Sequence, residues 1–388
     1  MRDEKLFFIA WDAGPVPLTV GQRRLHMAVL APLALLAFAA LTACGPPSRT
    51  SQSLAAAQPT IAPSPAPKTL ESTLQLGPDV EEIPFYPQSA ESAHGDSVAV
   101  WEQFDGAHYS IWGNSRRAHQ GWGRAQLIQT SDSAHSYNPR VAINAQGQAA
   151  AVWVQMDSAL GTNAIWSSRL EPGAAWGAAV QVESGKAGPT YAPGIAIDDR
   201  GHAVAAWQQS DGRRVNVRAS RFTPGVGWGQ ASRLEHGEGE LGAPEVAMDA
   251  DGNALVVWPR FHLNRSELWA SGHAVGSSGA GGGGGGAGGG AWDKATRIDA
   301  VPGYVYAPRV MAAAGVPGQF AVLWDQEEGF VTGPASVWAS QYQPGRGWRA
   351  SSARCANKLQ ALATARADKG GLAASARPLH TAEVDNCY

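Results

Sequence analysis

Apolar residues in this chain come in short runs separated by glycine, proline, asparagine and aspartate, without the sustained three-to-four-residue spacing of an amphipathic helix. One stretch shows the pattern in full. Val246-Ala247-Met248 reads as a strand, Asp249-Ala250-Asp251-Gly252 as a turn, and Ala254 to Trp258 as the next strand. In such a turn the aspartate caps backbone N–H groups and the glycine takes a positive φ. A third strand lies around Leu268-Trp269-Ala270 and a fourth around Thr296-Arg297-Ile298. The pattern predicts an all-β chain.

The same unit recurs. Fourteen of the fifteen tryptophans fall into three registers. The first is Trp101, Trp153, Trp207, Trp258 and Trp324; the second is Trp112, Trp166, Trp269 and Trp338, with Arg218 in the remaining place. The third is Trp122, Trp176, Trp228, Trp292 and Trp348. Glycine stands six residues before each first-register tryptophan, at Gly95, Gly147, Gly201, Gly252 and Gly318. Proline precedes that glycine at Pro87, Pro139, Pro193, Pro244 and Pro308. Successive first-register tryptophans are 52, 54, 51 and 66 residues apart, and the long interval holds the glycine-rich run 281–290 within a loop insertion at 276–291. Four short strands repeated in tandem at this period predict the blades of a β-propeller. Tryptophans that recur in every unit read as packing between blades. The Asp-x-x-Gly turns offer too few oxygens for calcium and read as turn chemistry.

The two ends set the number of blades. Leu70–Leu76 matches a fourth strand, and Asp368-Lys369-Gly370-Gly371 matches the turn of one more unit. Around that turn, 363–367 would be a first strand and 372–377 a second, with the residues to Tyr388 long enough for a third. Three C-terminal strands closed by one N-terminal strand make a sixth blade and leave no free sheet edge. Six four-stranded blades over residues 69–388 are therefore expected, five being the alternative.

Composition narrows the function. The net charge is −3, and removing residues 1–43 leaves 26 basic and 30 acidic residues. Without a basic run, nucleic acid is not an expected partner. The histidines are scattered singly, so neither a metal nor another cofactor is expected.

The N-terminus reads as an address. Arg23 and Arg24 precede an uncharged stretch from Met27 to Ala43, and Cys44 follows directly. A basic region, a short apolar segment and small residues before a cleavage point define a secretory signal. A plain transmembrane helix is the alternative, but the run is short, alanine-rich and broken by Pro32. Leu41-Thr42-Ala43-Cys44 resembles the bacterial lipobox. The resemblance implies cleavage before Cys44 and acylation of that cysteine, hence a partner in the lipid bilayer and a place in the bacterial cell envelope. With Gly45 following, sorting leans to the outer membrane. Residues 45–68 hold six prolines and almost no bulky apolar side chain, which suits an extended tether. Cys355 and Cys387 are an even pair in an oxidising compartment, so a disulfide between them is a candidate.

The segments Pro-x-Val-Ala-x-Asp-x-x-Gly and Ile-Trp-Ala-Ser-Arg-Tyr-x-Pro-Gly-x-Gly-Trp, with variations over residues 70–355, resemble repeats of bacterial proteins with sialidase-like propellers. The resemblance implies fold more than function. It would call for Ser-x-Asp-x-Gly-x-x-Trp boxes, of which Ser210-Asp211-Gly212 is the nearest trace, and for a catalytic set that the sequence does not supply. Asp105, Asp157 and Glu328 are acid candidates by position alone. A ligand site is expected elsewhere on the repeat. Gln103, Gln155, Gln209 and Gln326 stand two residues past the first-register tryptophan, with Arg260 in the fourth unit. Asp105, Asp157, Asp211, His262 and Glu328 stand four past it. A closed ring would gather these loops on one rim with Tyr137, Tyr191 and Tyr306. The expected function is a non-catalytic module binding a protein or glycan; the alternative is a sialidase-like hydrolase.

Overall fold

The computed structural model describes residues 84–129, 135–157, 162–183, 188–235, 238–275, 291–314, 316–328, 336–343, 346–351 and 379–380. The leader, Cys44, the tether, the strand expected at 70–76, the glycine-rich run, Cys355 and Cys387 lie outside these residues. No helix among the described residues is long and apolar enough to cross a membrane.

The fold is an all-β propeller. Its first blade is β1 (Phe85–Glu91), β2 (Ser97–Phe104), β3 (Tyr109–Arg116) and β4 (Gln126–Leu127). The second is β5 (Ser136–Ile143), β6 (Ala149–Asp157), β7 (Thr162–Leu170) and β8 (Val180–Gln181). The third is β9 (Thr190–Ile197), β10 (Ala203–Ser210), β11 (Val215–Thr223), β12 (Gly227–Trp228) and β13 (Ser232–Arg233). The fourth is β14 (Glu240–Leu241), β15 (Glu245–Met248), β16 (Ala254–His262), β17 (Arg265–His273) and β18 (Thr296–Arg297). The fifth is β19 (Gly303–Ala314), β20 (Phe320–Glu328), β21 (Ser336–Gln343) and β22 (Gly347–Trp348). Within each blade neighbouring strands pair antiparallel, and the inner strands β1, β5, β9, β15 and β19 lie side by side in succession. A last strand, β23 (Leu379–His380), runs parallel beside Ala313 and Ala314 of β19. These two residues thus pair directly with the fifth blade's inner strand, and not two strands out where the expected third strand would lie; the remainder of the expected sixth blade lies outside the described residues.

The turns joining first to second strands follow the sequence reading. The five turn glycines all take positive φ, from 73° to 88°. Asp249 accepts from the N–H groups of Asp251 and Asn253, and Asp198 from those of Arg200 and His202. Ser92 does the same in the first blade through His94 and Asp96, and Asn144 in the second accepts from the N–H of Gln148. In the fifth blade, whose turn is two residues longer, Ala313 stands in the corresponding register and offers no acceptor side chain, and the amide of buried Gln319 has no hydrogen-bond partner among the described residues.

Tryptophan fills the spaces between blades. First- and second-register tryptophans are direct cross-strand partners, as in Trp153 opposite Trp166 and Trp258 opposite Trp269. The first register is at most 1% exposed throughout. Trp153, Trp166 and Trp176 pack back on Val98, Val100, Ile111 and Ile128 of the preceding blade. Trp258, Trp269 and Trp292 pack in the same way on Val204, Val217 and Leu234. Each blade therefore needs its neighbour to bury its core, which is why the unit appears in tandem.

Candidate ligand-binding mouth

Successive strands alternate in direction, so the hairpins between second and third strands share one edge with the connections that enter each inner strand. That edge is the mouth. Just inside it, four inner strands carry a bulge immediately before their proline. Pairing shifts between Phe85 and Gln88, between Tyr137 and Arg140, between Tyr191 and Gly194, and between Tyr306 and Arg309. The residue before each proline has positive φ: Tyr86 at 48°, Asn138 at 54°, Ala192 at 48° and Ala307 at 43°. Such a backbone costs about 1–3 kcal/mol at a residue that is not glycine. A bulge re-aims side chains beside it, and here the preceding residue is aromatic each time: Phe85, Tyr137, Tyr191 and Tyr306. The fourth blade has Gly242 in this place. A Cβ there would collide with the ring of Pro259 and lie 3.1 Å from Phe261. The Pro259 ring of the second strand, with Phe261 beside it, thus occupies what the first strand leaves empty.

Tyr137, Tyr191 and Tyr306 all belong to the mouth edge, but the structure gathers only one of them into a larger cluster. Tyr109 lies 5.9 Å from Tyr137, 4.9 Å from Phe104 and 6.0 Å from Phe85, centroid to centroid. His135 stacks on Tyr137 at 5.9 Å with 14° between planes, and His108 lies 5.1 Å from His135. Phe85 and Tyr86 are 45% and 57% exposed, so part of the cluster faces solvent. Tyr191 is 41% exposed, while Tyr306 stacks on Tyr304 at 6.3 Å. Burial, reinforced by Glu102 and Tyr109, holds the Tyr137 phenol above its ordinary pKa. Burial and Glu327 do the same for Tyr306.

The glutamines sit deeper and are already engaged. The indole N–H of Trp101 donates to Gln103 Oε1 at 3.2 Å, that of Trp153 to Gln155 at 3.3 Å, and that of Trp324 to Gln326 at 2.9 Å. Gln326 also donates to the Val301 carbonyl, and Gln209 donates to Glu183 at 2.7 Å while accepting from Arg218 at 2.9 Å. Gln155, Gln209 and Gln326 are buried and Gln103 is half-buried. The structure therefore places all four in the frame of the blades, behind the aromatic edge. Arg218 fills its tryptophan's place through the hydrogen bond to Gln209, and it stacks on no ring among the described residues. The fourth blade makes the same link with charge. Trp258 donates to buried Glu235 at 2.9 Å, and Arg260 pairs with that carboxylate while lying over the Trp269 ring at 4.0 Å.

The acid candidates divide. Asp105 accepts from the N–H groups of Ala107 and His108 at 2.8 and 2.7 Å. Those bonds hold its carboxyl below the ordinary range, which suits a turn and not a proton donor. Asp211 does the same in the third blade and is held at about 2. Of Asp157 and Glu328 the structure describes only the backbone, at the ends of β6 and β20. No group of three or more histidine, cysteine or acidic residues among the described residues could hold a metal ion. At the opposite end of the axis, a cavity of about 380 Å³ is lined by the inner strands and their turns, including Ile143, Ile195, Met248, Met311, Asp199 and Asp251.

Two residues of the mouth were missed from the sequence. Phe85 occupies the register of the three tyrosines, but as Phe-Tyr-Pro in place of Tyr-x-Pro. Tyr109 opens the third strand and has no counterpart in the other blades.

No family model and no curated protein sequence matches the chain. Among solved structures, it is similar to a protein of unknown function from Dyadobacter fermentans, at 10% identity and a TM-score of 0.45, over 66% of this chain and 78% of that one. It is similar to an α-L-arabinanase from Penicillium chrysogenum, at 11% identity and 0.43, over 67% and 88%. A leech intramolecular trans-sialidase follows at 9% identity and 0.43, over 70% and 60%. At these values the likenesses carry no functional argument, and the propeller stands on the pairing and succession of its own sheets.

Proposed function

We propose that this chain is a bacterial envelope lipoprotein, anchored through acylated Cys44, whose propeller is a non-catalytic binding module for a glycan. The observation that supports the binding reading is the set of aromatic side chains placed at the mouth by backbone bulges. Strained positive-φ positions persist only where surrounding structure enforces them, and they concentrate at binding sites. Exposed aromatic faces flanked by hydrogen-bonding phenols and imidazoles suit the apolar faces and hydroxyls of sugar rings. The test is a glycan array probed with residues 69–388, run beside fluorogenic glycosides. Binding that is lost in Tyr137→Ala and Tyr109→Ala supports the reading. Turnover would replace it with the hydrolase reading, and binding of proteins alone would make the ligand a protein. Anchoring is tested separately, by incorporation of a labelled fatty acid that disappears in Cys44→Ala.

A further inference from the structure

The residue following the first-register tryptophan differs in every blade: Glu102, Val154, Gln208, Pro259 and Asp325. In two blades it reaches forward to the next inner strand. Gln208 donates to the Leu241 carbonyl at 2.7 Å, beside the interruption between β14 and β15. Glu102, 3% exposed, accepts at 2.7 Å from the N–H of Asn138, the left-handed residue of the second blade's bulge. A bulge leaves one backbone N–H outside the strand ladder, and a buried unpaired N–H is costly. Glu102 satisfies that group from the neighbouring blade. Its target directly follows Tyr137, the ring that joins both blades in the aromatic cluster.

We propose that Glu102 is a positioning residue for the mouth, holding the Asn138 bulge and thereby the Tyr137 ring in the place from which it meets a ligand. This rests on the binding reading above and adds a control to it. An ionised carboxylate is a stronger acceptor than its protonated form, so the hold is tightest while Glu102 is charged. Burial raises the Glu102 pKa above its ordinary value, and the Asn138 bond only partly opposes this. The mouth is therefore expected to loosen as pH falls through a range higher than that of a surface glutamate. The other titratable or charged groups at this end of the packed elements are Tyr86 on β1, Asp105, His108 and Tyr109 at the β2–β3 hairpin, and His135, Tyr137 and Arg140 at β5, while Glu91 of β1 and Arg116 of β3 stand at the turn end opposite Ser97.

The test needs no ligand. Residues 69–388 are labelled with 3-fluorotyrosine, and the Tyr137 signal is assigned by its loss in Tyr137→Phe. In the wild type the fluorine shift should step with pH, with a midpoint above 4.5. Glu102→Gln keeps an acceptor without a charge, so the signal should stay near its neutral-pH position and the step should vanish. Glu102→Ala should displace the signal at every pH; if that variant does not fold, Glu102→Gln remains decisive. A step that persists in Glu102→Gln would assign the titration to His135 or His108 and overturn the proposal. So would a Glu102→Ala spectrum superimposable on the wild type. Because no sugar is present, either failure leaves the glycan reading to its own experiment.

Discussion

The two ends of the inner strands handle the same backbone problem differently. At the turn end the blades converge: a polar residue caps the turn in the first four, and in all five a glycine accepts the positive φ. At the mouth end the positive φ falls on tyrosine, asparagine and alanine, and the neighbouring side chains differ from blade to blade. A strained position is easily relieved where glycine is allowed, as the turns show. Its retention beside aromatic residues at the other end argues that the side chains there are placed for a task. Between the two ends lies the indole frame, neutral in blades one, two and five and ionic in blade four.

The largest effects should come from that frame. Trp153→Ala removes a fully buried indole wedged between two blades, and a loss of about 3–5 kcal/mol is expected in denaturant unfolding. Arg260→Ala leaves the carboxylate of Glu235 buried without its cation, which should cost about 3–5 kcal/mol. The double variant Arg260→Gln with Glu235→Gln restores the neutral link used elsewhere and should recover much of that loss. If the single and double variants were equally unstable, the ionic and neutral links would not be equivalent.

The turn end should respond less. Asp249→Ala removes the acceptor for two turn N–H groups, for the Asn253 amide and for the Gly318 N–H of the neighbouring fifth blade. An expected loss of about 1–3 kcal/mol would be read from the same unfolding curves, with no change in ligand binding. A pH series sharpens the contrast. Burial raises the pKa of Glu183 despite its bonds to Ile165 and Gln209, so the folded state favours its protonated form. The associated stability is present below 4.5 and is lost as pH rises through the higher folded value. Thermal unfolding of Glu183→Gln should therefore show a smaller decline above that pH than the wild type. Asp211 acts in the opposite sense: its contribution is present above 3.8 and is lost as pH falls toward about 2. The smallest stability effect should come from Tyr137→Ala at the mouth, about 1 kcal/mol or less for a half-exposed side chain.

The frame was legible in the sequence because its residues recur at fixed spacing. Tryptophan, glycine and proline registers define strands, turns and blade period, and all five turn glycines behave as read. The glutamines illustrate what spacing leaves open. Two residues past a tryptophan on a strand means the same face, which is equally compatible with an open rim and with an amide folded back onto the indole. The structure shows the second arrangement in three blades. The tyrosines were legible as an edge, but the cluster around Tyr137 was not. It depends on Tyr109 and Glu102, which no other blade repeats, and a residue without a register gives a repeat-based reading nothing to align.

If the aromatic mouth is the binding surface, substitutions at the mouth and at the turn end must have separable effects. The most direct measurement is titration of the wild-type domain and two variants, Tyr137→Ala and Asp249→Ala, with a glycan identified on the array, followed by calorimetry. The account predicts that Tyr137→Ala weakens binding at least tenfold with little change in unfolding, while Asp249→Ala lowers stability and leaves the affinity of the folded domain unchanged. Full affinity in Tyr137→Ala, or affinity lost only in Asp249→Ala, would contradict it and move the binding surface to the other end of the propeller.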